Sequence, residues 1–231
     1  MKLLAFDTST EFLSAALACG GALVAEENAA GGALASATLI PVLQGLLARA
    51  GIKVEDLDAI VFGSGPGSFT GLRTACAVAQ GLGFGAGVRV LGIETLMAVA
   101  EQARQSTGAS QVVAMLDARM NEVYAGRYVF EAGHWQREGQ IALLRPAQID
   151  VPDGWPMAGN VFAAYGSLMP AGPERIEALP TAAAMLRIAP RLIEQGGAGS
   201  AADAAPVYIR DKVAQTTEER AQARDSRPAA P

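Results

Sequence analysis

Histidine and cysteine are scarce in this chain: its 231 residues include one histidine, His134, and two cysteines, Cys19 and Cys76. The cysteines lie far apart and form no C-x-x-C pair, so neither a disulfide framework nor a cysteine metal site is signalled, and a reducing compartment fits. A lone histidine rules out a metal centre built on a histidine pair. It also leaves Ser9, Ser64 and Ser68, all in polar turns, without the base that nucleophilic catalysis requires. His134 itself, beside Trp135, reads as an exposed loop residue. Positive charge is short as well, with 18 Lys and Arg against 23 Asp and Glu and a net charge of -5. No broad electropositive surface follows, so direct RNA binding is not expected. Long apolar runs are missing too. MKLLAFDTST reaches Asp7 after four apolar residues, too few for a signal-peptide core, and no run approaches the roughly 20 residues of a membrane span. The expectation is a soluble, cytoplasmic protein without membrane contact.

What is plentiful is core material: 51% of the residues are hydrophobic, and the length suits one large or two small domains. The stretch Asp58 to Gly87 organises the rest. Ala59 to Phe62 is a continuous apolar run, as in a strand buried on both faces. Gly63, Gly65, Pro66 and Gly67 break it. Ser68 is a natural N-cap, and Phe69 opens a helix that runs toward Gly83, Gly85 and Gly87. Strand, glycine turn and helix N-terminus together make either an anion site or a tight turn whose glycines let the helix pack on its sheet. The residues after Gly67 exclude a P-loop, which needs Lys and a hydroxyl there, and the glycine spacing misses the dinucleotide fingerprint. On the helix, Gly71, Ala75, Ala79, Gly83 and Gly87 recur every four residues and form one smooth face. Such a face suits a closely approaching helix of this or another chain, with Leu72, Cys76 and Leu82 turned toward the protein's own sheet. The alternative is that the helix frays from Gly83 onward.

Around this stretch the chain reads in order. Leu3 to Phe6 is a strand ending in the polar turn Asp7-Thr8-Ser9-Thr10-Glu11, and Leu13 to Cys19 and Ala22 to Glu26 form a hairpin on Gly20-Gly21. A helix lies within Leu34 to Ala50, either starting near Thr38 or kinked at Pro41. Val88 to Ile93 is a short strand, and Thr95 caps a helix running to about Arg104. In the second half, Val112 to Leu116 ends in Asp117, a turn follows, and Glu122 to Phe130 is strand-like. A strand, a turn with an Asp and a second strand thus occur in both halves. Gly139 to Leu144 is a further candidate strand, Arg145 to Pro173 reads as loosely structured, and Thr181 to Gln195 is a helix broken by Pro190. Pro206 to Asp211 reads as a short ordered segment, and Gln215 to Pro231 as a disordered tail.

The segments LLAFDTSTEFLSAAL, GSGPGSFTGLR, DARMNEVYAGRY and PVYIRDKVA closely resemble the bacterial TsaB family, also called YeaZ. The resemblance spans Met1 to about Ala214. It implies an α/β fold of the actin/hexokinase-like ATPase type, with two ribonuclease-H-like subdomains of mixed sheets flanked by helices, here 1–105 and 106–214, and a tail 215–231. It also implies work in making threonylcarbamoyladenosine in tRNAs that read codons starting with A. There the family serves as a non-catalytic platform that forms a heterodimer with TsaD, a complex with the ATPase TsaE and a homodimer when alone, and reaches tRNA only through the complex.

By the same resemblance, Asp7, Thr8, Ser9, Thr10, Gly65, Gly67 and Ser68 are the residues of a vestigial nucleotide site. No cofactor is required by this chain itself, with ATP or ADP and Mg²⁺ to be sought at the complex interface. The turn Asp117 to Glu122 carries Arg119 and Met120 where a phosphate clamp uses glycine, which argues against turnover. The partner interface is expected on Leu39, Leu43, Leu46, Phe69, Gly71, Leu72, Ala75, Ala79 and Gly83, and Ala79→Arg is expected to block pairing. The histidine-serine pair common before the first helix in relatives is absent here, where Gly31 to Ser36 stands. A weak ATPase or small-molecule kinase of the same fold is the competing reading, and a protease acting on its partner a more distant one.

Overall fold

The computed structural model describes residues 1–210; Asp211 and the whole 215–231 tail lie outside the described residues. Three antiparallel strands open the chain, Lys2–Asp7 (β1), Phe12–Cys19 (β2) and Ala22–Ala30 (β3). Helix Ala35–Ala50 (α1), strand Ala59–Gly65 (β4), helix Phe69–Ala86 (α2), strand Arg89–Glu94 (β5) and helix Thr95–Thr107 (α3) follow. A second meander is made of Gln111–Arg119 (β6), Glu122–Glu131 (β7) and His134–Leu144 (β8). Short elements Met157–Gly159 (β9), Phe162–Tyr165 (α4) and Arg175–Glu177 (β10) lead to helix Ala182–Glu194 (α5). The two five-stranded sheets have the orders β3-β2-β1-β4-β5 and β10-β9-β6-β7-β8. Each is a three-strand antiparallel meander whose first strand pairs in parallel with a fourth, and that fourth in parallel with a fifth. The second sheet repeats the topology of the first.

Period-two alternation in β1 explains its unbroken apolar run. Leu4 and Phe6 join the core under α1 and α2, while Leu3 and Ala5 join the core shared with α3, α5 and the second sheet. Both faces are covered, so every side chain from Leu3 to Phe6 must be apolar. α3 and α5 fill the space between the sheets. The outer face of the second sheet is covered differently, by Ile149, Trp155, Val161, Tyr165 and Met169 from the mostly irregular segment between β8 and β10.

Several elements exceed their sequence-read bounds. β3 runs on to Ala30, and β4 runs through Gly63 and Gly65, so those glycines belong to the strand and the turn is Pro66-Gly67. Gly63 is required because an added Cβ would fall 1.8 Å from a carboxylate oxygen of Asp7. α1 begins at Ala35, not near Thr38, and holds Pro41 in its interior. The proline is tolerated because it and Ala37, whose carbonyl loses its usual partner, both lie on the exposed side. α2 does not fray at Gly83; it continues to Ala86 and ends on Gly87 in the left-handed region at φ 68°. α5 continues through Pro190 to Glu194. β8 starts at His134, which is a half-buried strand residue and not a loop residue. The segment 145–173 contains β9, a partner of the central β6. By length and composition Gly32–Ala50 would suffice to cross a membrane, contrary to the reading of the runs, but its Leu39, Leu43, Leu46 and Leu47 are spent on the protein core.

α2 carries a pair of glycines that separate close approach from helix propensity. A Cβ at Gly71 would fall 1.8 Å from the Thr8 carbonyl oxygen, whereas one at Gly81 meets nothing within 4 Å. Gly71→Ala is expected to cost about 3 kcal/mol or more through backbone displacement, and Gly81→Ala to add about 0.5–1 kcal/mol by restricting the unfolded chain. Denaturant unfolding of the two variants checks this; equal effects would refute the close approach.

Candidate functional site

A cleft of about 310 Å³ opens between the two sheets. Its walls are the β1–β2 turn, the β4–α2 turn, the β6–β7 turn and residues 207–210. The β1–β2 turn spends most of its polar atoms on its own fold. One Asp7 oxygen, Oδ1, accepts from the Ser9 amide at 2.9 Å and the Ser9 hydroxyl at 2.7 Å. The Thr8 hydroxyl donates to the Gly71 carbonyl at 2.7 Å, and the Ser68 amide donates to the Ser9 carbonyl at 2.7 Å. Thr10 accepts from the Phe12 amide at 3.1 Å. The Thr95 hydroxyl, no helix cap, donates to the Pro66 carbonyl. Ser9, Thr10, Gly67 and Ser68 line the cleft, while Asp7, Thr8 and Gly65 lie behind that surface. Asp7 is 1% exposed, and its Oδ2 has no hydrogen-bond partner among the described residues.

The facing turn is built from side chains in place of glycine. Arg119, Met120 and Asn121 all adopt left-handed conformations, at φ 62°, 57° and 59°, which cost roughly 1–2 kcal/mol for residues such as Arg and Met and less for Asn. Asp117 supports the turn by accepting from the Arg119 amide at 2.7 Å, the Arg119 guanidinium at 3.0 Å and the Tyr165 hydroxyl at 2.9 Å. Arg119 also lies 3.6 Å from Glu11 across the cleft. A guanidinium of the chain thus stands between the carboxylates of the two turns, where a metal-phosphate clamp needs free acceptors.

Residues 207–210 bridge the cleft. The Val207 amide donates to the Ser64 carbonyl at 2.7 Å, an acceptor left over by the register shift in β4. Tyr208 lies against Phe69 with ring centres 5.5 Å apart and accepts from Arg73 at 3.0 Å. Arg210 donates to Glu122 at 2.6 Å and to the Ala118 carbonyl at 3.1 Å. Sequence reasoning marked this segment as ordered but missed its place in the site, since only the tertiary fold brings position 210 to position 122.

The expected interface residues are corrected by their burial. Leu39, Leu43, Leu46, Gly71, Leu72, Ala75, Ala79 and Gly83 all face the chain's own core. Ala79 is 0% exposed, so Ala79→Arg would disrupt the fold before it tested any interface. The small-residue stripe serves the approach of α2 to its own sheet: Gly71 meets Thr8, and Gly83 meets Val88, Val90 and Ala201. Of the expected set only Phe69 is exposed. The outward side of α1 and α2 nevertheless carries large apolar groups, Ile40 at 45% and Phe84 at 74% exposure with Leu34 at 58% just before α1, beside Ala37, Pro41, Ala77 and Gly81 and among the polar Gln44 and Arg73.

A family model described as TsaD, tRNA N6-adenosine threonylcarbamoyltransferase, matches residues 34–179. The chain is 34% identical over 227 residues to the tRNA threonylcarbamoyladenosine biosynthesis protein TsaB of Escherichia coli K12, covering 93% of this chain and 96% of the relative. It is 35% identical over 229 residues to the TsaB of Haemophilus influenzae, covering 92% and 95%. The solved structure of YeaZ from Pseudomonas aeruginosa superposes with a TM-score of 0.84 at 38% identity, covering 90% of this chain and 99% of that one. The chain belongs to the TsaB (YeaZ) family. Its duplicated mixed sheets with flanking helices are the two-subdomain α/β fold of the actin/hexokinase-like type.

Within this TsaB-family fold, Asp7 makes stability depend on pH. Burial pushes its carboxyl from 3.8 up to about 7, against the two Ser9 hydrogen bonds that pull it down. Between these values the folded protein holds a proton that the unfolded chain has released. The contribution is therefore full below the unfolded value and is lost as the pH rises through the folded one, a change of about 4 kcal/mol. Asp7→Asn should lack this slope, so that its stability relative to wild type improves from acid to pH 8. Denaturant titrations of both proteins across that range measure it, and a pH-independent difference would show that Asp7 does not titrate there.

Proposed function

We propose that this chain is the non-catalytic partner subunit in the formation of threonylcarbamoyladenosine in tRNA. The names of the TsaB relatives support the process, and the cleft supports the absence of catalysis. The observation that carries the reading is the Arg119 guanidinium lying between Asp117 and Glu11. Phosphoryl chemistry depends on acceptors free to hold a metal and on backbone donors open to phosphate; here Asp117 is neutralised from within, Asp7 is buried, and the second turn presents side chains. These residues do not fit a Mg²⁺-nucleotide clamp made by this chain alone. The competing kinase or ATPase reading is opposed by the same groups. The TsaD-type match over 34–179 does not favour metal-dependent chemistry on a histidine pair, because such a centre needs two histidines and the chain has one.

The partner in this reading is TsaD, with TsaE joining the assembly and a second copy of the chain taking TsaD's place when it is alone. The outward side of α1 and α2 is the surface best suited to it. Ile40 and Phe84, with Leu34 at the start of α1, are large apolar groups held in water on two neighbouring helices. Gly81 and Ala77 between them permit close backbone approach. Phe84→Asp leaves the core untouched, so its melting temperature should match wild type while affinity for TsaD falls at least about 30-fold. In a reconstituted mixture of the carbamoyl-adenylate synthase, TsaD, TsaE and tRNA, product should require the wild-type chain and be lost with the variant at equal concentration. Product formed equally well without the chain would overturn the functional reading, and full activity of Phe84→Asp with unchanged affinity would overturn the interface.

A further inference from the structure

A second pocket, of about 150 Å³, lies away from the cleft between α3, α5 and the start of β8. It arises from helix spacing. Arg187, Ile188, Arg191 and Leu192 of α5 share one face, and Met97, Glu101 and Arg104 of α3 share the opposing one. Glu101 is 2% exposed and anchors the walls. Its carboxylate accepts from Arg104 at 2.9 and 3.3 Å, Trp135 at 2.9 Å, Gln105 at 2.9 Å and Arg187 at 3.0 Å. Those donors hold it ionised despite burial, its titration displaced below the usual carboxylate range.

The charge count at this pocket is uneven. Two guanidiniums, Arg104 and Arg187, share the one buried carboxylate. Arg191 is paired, among the described residues, only with the exposed Glu194 of its own helix at 3.7 Å. Three cations against two carboxylates leave one positive charge over. Glu101 is saturated with donors and turned inward, so it presents no free lone pair to an incoming anion. Below the guanidiniums the walls are apolar: Trp135, Met97, Ile188 and Leu192. Arg104 covers the face of Phe130 at 4.1 Å, which fixes its guanidinium at the pocket wall.

We propose that this pocket binds a small organic anion: a carboxylate or phosphate group held by Arg191 and the remaining N–H groups of Arg187 and Arg104, on an apolar body no larger than one ring. The guanidinium fork matches either head group, and the volume excludes a nucleotide. The site is independent of the cleft and of the α1 and α2 surface.

Ligand-observed NMR with the full chain tests it using benzoate, phenyl phosphate, inorganic phosphate and benzyl alcohol at millimolar concentrations. Saturable binding of benzoate or phenyl phosphate is expected, with inorganic phosphate and the uncharged alcohol each about tenfold weaker or worse; which of the two anions wins identifies the head group. Arg191→Gln, which removes an exposed side chain without core contacts, should weaken the preferred anion about tenfold at an unchanged melting temperature. Phosphate alone binding as well as phenyl phosphate, no saturable signal from either aromatic anion, or undiminished binding by Arg191→Gln would each overturn the proposal.

Discussion

The contact between the first turn of α2 and the β1–β2 turn is the constraint on which the rest of this fold rests. Gly71 brings helix backbone directly onto Thr8, the Thr8 hydroxyl bonds the Gly71 carbonyl, and the Ser68 amide bonds the Ser9 carbonyl. The second of these satisfies an N-terminal helix amide with a strand turn in place of water or a ligand, and the first adds a donor to a carbonyl of the helix's first turn. Two consequences follow. The helix N-terminus, which could have served as an anion site, has its Ser68 amide and its cap already engaged, and Asp7 is driven beneath the turn into apolar surroundings that raise its affinity for a proton.

The opposite wall of the cleft shows the same economy carried out with charge. Arg119 and Arg210 are held by Asp117, Glu11 and Glu122. The exposed Arg119 pairs contribute little to stability, since solvent screens them. Their effect is positional: they set a cation of the chain where an enzyme would bring a metal, and they hold three successive residues in a left-handed turn that glycine would adopt without strain. Arg210 is more buried, and through Val207 and Tyr208 the same segment reaches back to β4 and α2. The cleft of about 310 Å³ is thus walled on this side by the chain's own ion pairs and by residues 207–210.

Much of the fold was legible in the chain. β1, β4 and α2 announce themselves by apolar runs, an N-cap and a terminal glycine, because those signals are local. β9 and β10 escaped because three residues each carry no periodicity, and β9 is recognisable only as the partner of β6. The direction of the α2 stripe was misread for a different reason. Spacing by four reports that something approaches closely, but α2 has a second small-residue row through Ala77, Gly81 and Gly85, and only burial distinguishes the two. The site was legible in its hairpins and not in its closure, since Glu11 with Arg119 and Glu122 with Arg210 are pairs that sequence distance hides.

The duplication of the sheet makes the asymmetry of its covering informative. In the second half the outer face is sealed by irregular chain rich in large side chains, leaving Trp155 and Met169 buried. In the first half the equivalent face is sealed by α1 and α2, whose inner residues fill the core together with Leu57, Val88 and Ala201. Nothing in folding then requires Leu34, Ile40 and Phe84 to be apolar, and exposed side chains of that size on rigid helices bring no stability to the isolated chain. In the reading proposed above, Arg119, paired with Asp117 and Glu11, takes the place of a clamp in the cleft, and Ile40 and Phe84 are left for a partner.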